Sequence, residues 1–205
     1  MREAGHEATA TPDETDVRAL LERVAEGDEG ALRQLYDRYA GAVYRFALSR
    51  LDSPADAADV LNEVMLEVWR GAARFRGGSS VRTWILGIAH HKTVDRIRRR
   101  VRDGWVPEDE APEAADGAAP GGPDPAPGEA VIAAAQDADL LRRCMERLSG
   151  LLRQAVYLAF FEDRSYPEIA RILDCPVGTV KTRVFHAKRA LRECLERLAG
   201  AGGRS

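Results

Sequence analysis

The sequence predicts an all-α protein of two small helical domains that are joined by a long, disordered acidic linker. Apolar residues recur at helical spacing over most of the 205 residues, and no stretch alternates convincingly between apolar and polar positions. Aromatic residues make up only 6% of the chain, a low share for a β-sandwich. Between Gly104 and Gly128 the chain carries six prolines and no basic residue. Such a composition buries too little apolar area to offset its conformational entropy.

The first two helices open a domain that we predict over residues 16–102, behind a disordered tail at residues 1–15. A short first helix ends at Gly27, and Asp28 supplies a capping side chain for the second helix. The buried face of that second helix is expected to hold Leu32, Leu35, Tyr39, Val43, Phe46 and Ala47. Each helix has one apolar stripe, so the two are expected to pack on a common core.

The third and fourth helices complete this domain. Ser53 and Pro54 form a start signal, because a capping side chain is followed by proline at the first helical position. The third helix runs to about Ala73 and buries residues at helical spacing, namely Leu61, Val64, Met65 and Val68. A glycine pair then interrupts the chain, and Ser79 or Ser80 caps a fourth helix that ends in a run of arginines. We therefore expect four helices in the first domain.

A second domain is predicted over residues 136–199, between the acidic linker at residues 103–135 and a disordered tail at residues 200–205. It opens with two helices, one from Leu140 to about Leu152 and one from Gln154 to Phe161. Both segments repeat apolar residues at helical spacing, so this domain is also expected to be all helical.

The end of the second domain has the pattern of a helix-turn-helix unit. Ser165 and Glu168 have the spacing of a capping box. The helix that they start ends at Asp174 and Cys175, and Pro176 starts another helix at once. The second of these helices is expected to turn inward Val180, Val184, Ala187 and Leu191. A short connection and a basic second helix are typical of DNA-binding units, although any αα-hairpin shares this outline.

Charge is unevenly distributed along the chain, although its formal sum is only −3. Residues 70–102 contain ten basic residues and one acid, residues 103–139 contain ten acids and no base, and residues 176–192 contain five bases and no acid. Two basic patches separated by an acidic segment indicate two contacts with one polyanion, because each Lys or Arg near a phosphate releases a counterion. The alternative is that these side chains lie on solvated helix faces.

Several classes of protein are excluded by what the sequence lacks. It has no apolar run long enough to span a bilayer and no secretory signal, so we expect a soluble, cytoplasmic protein without membrane insertion. Three cysteines (Cys144, Cys175 and Cys194) are too few and too odd in number for a disulfide scaffold. No P-loop, serine-hydrolase or zinc-protease motif occurs, and the adjacent His90 and His91 cannot share a helical face. We therefore expect no catalytic residue, no metal and no cofactor.

Three sequence blocks carry a resemblance to a known family. They read DVLNEVMLEVW at residues 59–69, RTWILGIAHHKTVDRIRRR at residues 82–100, and YPEIA at residues 166–170 followed by CPVGTVKTRVFHAKR at residues 175–189. In this order they resemble the extracytoplasmic-function (ECF) sigma factors, the minimal promoter-recognition subunits of bacterial RNA polymerase. The resemblance implies that the two domains are the family's regions two and four. It also implies promoter-specific transcription initiation together with core RNA polymerase.

By this resemblance, the loop after the third helix and the helix that follows it hold the melted −10 element as single strand. That task needs cationic groups for the backbone and planar groups for unstacked bases. The implied residues are Phe75, Arg76, Ser79, Ser80, Arg82, Trp84, His91, Lys92, Arg96 and Arg99. Trp84 is either a DNA-facing side chain or a plain core aromatic. His91 stands where many members of the family carry asparagine.

The resemblance also implies a −35 contact and a polymerase contact. The second helix of the helix-turn-helix unit is expected to enter the major groove with Thr179, Lys181, Thr182, Arg183, Phe185, His186, Lys188 and Arg189. The clamp helices of the largest polymerase subunit are expected to bind Asp59, Asn62, Glu63, Leu66 and Arg70. The flap of the second-largest subunit and an anti-sigma factor are the other implied protein partners.

Three questions stay open on the sequence alone. A self-sufficient DNA-binding regulator that uses only the helix-turn-helix unit is the alternative function. Cys175, at a helix N-terminus, is either a redox-sensing thiol with a lowered pKa or a small structural residue. The acidic linker either imitates nucleic acid in the polymerase channels or is a plain tether.

Overall fold

A computed structural model describes the backbone of residues 12–104 and 138–202, and these residues form helices joined by short turns without any strand. The N-terminal domain contains α1 (Pro12–Ala25), α2 (Glu29–Leu51), α3 (Pro54–Gly71) and α4 (Val81–Arg102). The C-terminal domain contains α5 (Ala138–Glu146), α6 (Gly150–Val156), α7 (Tyr166–Ile172) and α8 (Val177–Gly202). The predicted all-α class is confirmed, and almost all of the predicted acidic linker lies outside the described residues.

The helix starts of the N-terminal domain follow from local capping. The side chain of Asp28 accepts a hydrogen bond from the N–H of Ala31 at 3.0 Å, and Ser53 caps α3 ahead of Pro54. Of the two serines offered by the sequence, Ser80 caps α4, and its hydroxyl oxygen accepts from the Thr83 N–H at 3.1 Å. These local signals place the starts of α2, α3 and α4 where the sequence predicts them.

The first helix begins at Pro12, inside the segment predicted to be a disordered tail. Its Glu14 accepts hydrogen bonds from the backbone N–H of Val81 at 2.9 Å and from the guanidinium of Arg18 at 3.1 Å. The carboxylate therefore satisfies a free N–H in the first turn of α4, where the helix dipole favours negative charge. This contact joins α1 to α4 and explains why the order extends beyond the predicted boundary.

In the C-terminal domain, the predicted boundary between the first two helices is wrong. The break lies at residues 147–149 rather than at residue 153, and α6 continues through a π-helical turn at Tyr157–Phe161. The guanidinium of Arg153 folds back and donates to the backbone carbonyls of Met145, Glu146 and Leu148. Because this side chain satisfies carbonyls at the end of α5, the helix can stop there without a glycine.

The helix-turn-helix unit forms as predicted. The carboxylate of Glu168 accepts from the Ser165 N–H at 2.9 Å and from its hydroxyl at 2.7 Å, which completes the capping box. Asp174 adopts a left-handed conformation (φ 46°) in the turn between α7 and α8, and α8 then starts at Val177. This turn sets the direction in which α8 leaves the domain.

One disulfide joins Cys144 to Cys194; the cysteine count argued against a disulfide scaffold and did not predict this single bond. It joins α5 to the second half of α8 inside a small apolar cluster that also contains Leu148, Val156 and Leu191. Cys175 is free and half-buried. Packing of α5 on α8 brings the two thiols together, although 50 residues separate them in sequence.

The two domains pack against each other. One cluster of buried apolar residues runs through both, from Val17 in α1 to Val184 in α8. At their contact the rings of Phe46 and Tyr157 lie 6.3 Å apart between centroids, and the Tyr157 hydroxyl lies 3.3 Å from the backbone carbonyl oxygen of Ala42. The predicted functional helices α4 and α8 therefore belong to one closed structure.

Candidate nucleic-acid and polymerase interfaces

The exposed face of α8 is the clearest basic surface of the protein. Lys181, Phe185 and Arg189 follow one another at four-residue spacing and are exposed, and His186 is exposed beside them. The residues predicted to point inward are buried, namely Val180, Val184, Ala187 and Leu191. Because residues 176–192 contain no acid, this face presents cations and one aromatic ring to solvent.

The other residues predicted for the −35 element are less accessible. Thr182 donates its hydroxyl to the Gly178 carbonyl at 3.1 Å, and the guanidinium of Arg183 lies 3.8 Å from the Cys175 sulfur. Lys188 is buried, with its ammonium 5.3 Å from the centroid of the Phe160 ring, and Thr179 is half-buried. The structure thus places all eight predicted residues on α8 but leaves only half of them on its open face.

Two aromatic side chains lie at the start of α4. The rings of Phe75 and Trp84 are 5.2 Å apart between centroids, and Trp84 also packs on Gly71, where an added Cβ would lie 3.4 Å from the ring. Both side chains are half-buried, so Trp84 takes part in packing and still reaches the surface. Arg18 approaches the Phe75 ring at 6.0 Å and donates to the Ser79 carbonyl at 3.3 Å, which holds the loop before α4.

Apart from Arg82, the basic residues predicted for the −10 element divide into two groups. Lys92 lies 3.6 Å from a carboxylate oxygen of Glu67, and Arg96 lies 2.8 Å from Asp59 and 3.9 Å from Glu63. The second group is exposed and makes no ion pair with a carboxylate of the described residues; its members are Arg76, in the preceding loop, His91 and Arg99. Carboxylates of α3 therefore bind Lys92 and Arg96, which were both predicted to contact phosphate. Two of these carboxylates, on Asp59 and Glu63, belong to residues that were predicted to bind polymerase.

Arg82 contacts the C-terminal domain, a contact that no sequence pattern predicted. Its Nε donates to Oε2 of Glu162 at 2.8 Å, its Nη2 contacts the same oxygen, and its guanidinium lies 5.9 Å from the Tyr39 ring centroid. The other oxygen of Glu162 accepts from the Tyr157 hydroxyl at 2.6 Å. The Glu162 side chain is 1% exposed. Burial, together with the hydrogen bond to Glu162, raises the pKa of Tyr157.

The face of α3 that was predicted to bind polymerase is partly open. Asn62, Leu66 and Arg70 are exposed, with Leu66 47% accessible. Beside them lies an open cavity of about 590 Å³ between α2 and α3 that was not predicted; it is lined by Glu29, Gly30, Leu32, Arg33, Tyr36, Asp37 and Met65. Tyr36 lies off the apolar stripe of α2, which was the available signal that it faces outward.

The two histidines of α4 have different surroundings. His91 is exposed, whereas His90 is buried and burial, with the nearby charges of Arg50, His91 and Arg183, lowers its pKa to about 3. Burial raises the pKa of the Cys175 thiol, which favours the small structural residue over a thiol with a lowered pKa.

The described part of the chain offers neither a metal centre nor a membrane span. Within residues 12–104 and 138–202, no group of three or more His, Cys, Asp or Glu side chains is arranged to hold a metal ion. None of the helices in those ranges is both long enough and apolar enough to cross a bilayer.

Both domains match models of known protein families. Residues 35–103 match Sigma-70 region 2, and residues 138–191 match Sigma-70 region 4. The ECF RNA polymerase sigma factor SigK of Mycobacterium tuberculosis (strain H37Rv) is 31% identical over 191 residues, which cover 89% of this chain and 95% of the relative. SigK of Mycobacterium sp. (strain JLS) is 32% identical over 186 residues, covering 88% and 91%.

Solved structures share the same fold. The sigma factor RpoE from Bartonella quintana, in complex with the anti-sigma factor NepR, matches with a TM-score of 0.59 at 22% identity over 80% of this chain and 96% of that one. CnrH, in complex with the cytosolic domain of CnrY, matches with a TM-score of 0.58 at 23% identity, over 88% and 97%. With regions 2 and 4 present in order and SigK aligned along nearly its whole length, this chain belongs to the ECF sigma factors of bacterial RNA polymerase.

Proposed function

We propose that this chain binds core RNA polymerase and directs it to promoters by reading a −10 element with its N-terminal domain and a −35 element with its C-terminal domain. The observation that carries the proposal is the open face of α8, where cations and an aromatic ring stand on one side of a helix-turn-helix unit. A regulator that used this unit alone would leave the aromatic and cationic start of α4 without a role.

At the −35 element, α8 enters the major groove with its open face. Lys181 is placed to donate to acceptors on guanine, and Phe185 to contact a thymine methyl group. Arg189, two turns further along the helix, is placed to bind phosphate and fix the register. His186 is proposed to contact either a base edge or a phosphate.

At the −10 element, the start of α4 supports a melted strand. The Phe75 and Trp84 rings form a half-exposed aromatic pair on which an unstacked base can rest. Arg76, His91 and Arg99 are exposed and supply positive or polar groups for the backbone. The extruded base then lies near the loop that ends at Ser79 and Ser80, just before α4.

The polymerase contact uses the outer face of α3. Leu66 supplies an exposed apolar anchor, and Asn62 and Arg70 surround it with polar groups, the composition of a small interface core and rim. Asp59 and Glu63 bind Arg96, so their contribution is to hold α3 against α4. The clamp helices of the largest subunit are the proposed partner of this face, and the flap of the second-largest subunit is the proposed partner of the C-terminal domain.

Promoter binding requires the two domains to separate. Elements at −10 and −35 lie about 25 base pairs apart, roughly 85 Å at the rise of B-DNA. The domains are in direct contact, so the closed structure cannot place α4 and α8 on both elements. The 33 residues between Gly104 and Ala138 reach at most about 110 Å when extended, which is enough for the open arrangement.

The proposal extends to regulation and location. An anti-sigma protein is a proposed partner, because the similar sigma factor RpoE was solved in complex with the anti-sigma factor NepR. We place the chain in the cytoplasm, where its polymerase and promoter partners are, and assign it binding and specificity without catalysis of its own.

Run-off transcription with core RNA polymerase tests this function. A library of promoter fragments is transcribed with and without the chain, and start sites that appear only with it are expected to share −35 and −10 sequences. Absence of such start sites, together with sequence-specific binding of duplex DNA by the chain alone, would support the self-sufficient regulator instead.

A further inference from the structure

We propose that Glu162 is an internal competitor for the promoter phosphate at Arg82, so that release of this carboxylate is a required step between the closed chain and the DNA-bound one. The inference rests on the proposed function, because it assigns Arg82 to the backbone of the −10 strand. It adds a residue of the C-terminal domain that controls access to the N-terminal domain's DNA site.

The contact has the geometry of a phosphate contact. Both Nε and Nη2 of Arg82 face the same carboxylate oxygen of Glu162, and this edge of a guanidinium also binds phosphate oxygens. Arg82 lies in the first turn of α4, two residues beyond the capping Ser80. A carboxylate bound there occupies the donors that a backbone phosphate would need.

Other contacts place the C-terminal domain over the same part of α4. The Thr83 hydroxyl lies 3.2 Å from a carboxylate oxygen of Glu168, and the guanidinium of Arg171 donates to the Gly78 carbonyl at 3.3 Å. Gly78, Arg82 and Thr83 are therefore contacted by α7 and by the turn that precedes it. The Arg82 side chain is 34% exposed, but its Nε and Nη2 donors are occupied by Glu162 while these contacts persist.

The same interface contains features that favour opening. The Nε2 of Gln154 and the Nδ1 of His90 are buried without a hydrogen-bond partner, and the Arg50 guanidinium meets Gln154 only at 3.4 Å. A buried polar atom without a partner carries a desolvation cost that is relieved when water reaches it. Opening would hydrate these atoms and remove their desolvation cost, whereas the Arg82–Glu162 pair stabilises the closed form. Removal of the pair is therefore expected to shift the equilibrium toward the open form.

The test compares the full chain with Glu162→Gln, using small-angle X-ray scattering for compactness and fluorescence anisotropy for binding of a single-stranded thymidine oligonucleotide at low salt. We expect Glu162→Gln to enlarge the radius of gyration and to bind the oligonucleotide about tenfold more tightly, because apparent affinity scales with the fraction of competent molecules. Glu146→Gln is the matched control. It makes the same charge change at an exposed pair with Arg142, and it is expected to alter neither quantity.

A second variant separates opening from DNA contact. Arg82→Gln breaks the same pair, so it is expected to enlarge the chain as Glu162→Gln does but without tighter binding of the oligonucleotide. A Glu162→Gln chain that stays compact, or that opens without any gain in binding, would overturn the proposal. Run-off transcription by the unmodified chain is scored separately, so a failed sigma function is distinguished from a failed competition at Arg82.

Discussion

The two basic helices of this protein differ in how their charge is used. The open face of α8 carries Lys181, Phe185 and Arg189; residues 176–192 contain no acid, and the one carboxylate paired with this face is that of Glu193, 3.8 Å from Arg189. On α4, by contrast, Lys92 and Arg96 are neutralised by carboxylates of α3, and Arg82 by the C-terminal domain. The difference shows that positive charge in sequence does not equal positive charge available to DNA. Half of the residues proposed for the −35 element are exposed in the closed chain, whereas several cations proposed for the −10 element are bound by carboxylates.

The largest expected effect concerns the stability of the domain that carries α8. Reduction or Cys194→Ser removes the disulfide to Cys144, whose 50-residue separation predicts a loss of about 3–4 kcal/mol in the free energy of unfolding. Thermal unfolding without reductant measures it, with Cys175→Ser as the matched control because that thiol is free. Equal stability of the Cys194→Ser chain and this control would contradict a stabilising role for the bond.

The local parts of this fold were predictable from the sequence. Asp28, Ser53 and the pair Ser165–Glu168 act within three residues of themselves, so their helices start where capping rules place them. The boundary between α5 and α6 escaped prediction because leucines continue at helical spacing across it. The side chain that ends α5, Arg153, belongs to the next helix.

The domain contact and the disulfide were not predictable in the same way. Arg82 and Glu162 are 80 residues apart, and Cys144 and Cys194 are 50 apart, so each pair exists only through tertiary packing. A charge pattern counts the Arg82 guanidinium as free, and only the folded chain reveals its partner. Among the predicted site residues, those on α8 with outward spacing were the easiest to place.

The second largest expected effect is the loss of a base contact on α8. Lys181→Ala is expected to weaken binding of a −35 duplex by about 1–3 kcal/mol and to relax its sequence preference. Arg189→Ala, on the same open face, is expected to weaken binding on all sequences alike. Titrations against the selected −35 sequence and a scrambled duplex give both quantities. Uniform loss with Lys181→Ala would reassign that residue to phosphate.

Lowering the pH is expected to destabilise the folded chain through His90, which is buried on the inner face of α4. The pKa of His90 is lowered from 6.5 to about 3 in the folded chain, so the neutral form is favoured there. Its stabilising contribution is therefore complete above pH 6.5 and is lost as the pH falls toward 3, with a loss of about 1 kcal/mol by roughly pH 5.5. Thermal unfolding of the wild type and His90→Gln across this range measures the difference, which vanishes if His90 does not titrate.

The smallest expected effect compares two arginines of α4. Arg99→Gln is expected to lower the slope of log affinity against log salt by about 1 for a melted −10 strand, because an exposed cation is lost. Arg96→Gln, whose guanidinium is held by Asp59, is expected to change that slope less. Anisotropy titrations in the presence of core polymerase yield both slopes. Equal slopes for the two variants would show that pairing within the chain does not limit DNA contact.

The distance between the domains tests the central claim most directly. Dyes on cysteines introduced at the exposed Ala73 and Glu196, with Cys175 replaced by serine, report this distance by single-molecule energy transfer. We expect a short distance in the free chain and a distance on the order of 80 Å in the complex with core polymerase and promoter. A free chain that is already as extended as the complex would contradict the closed, partly self-blocked protein described above.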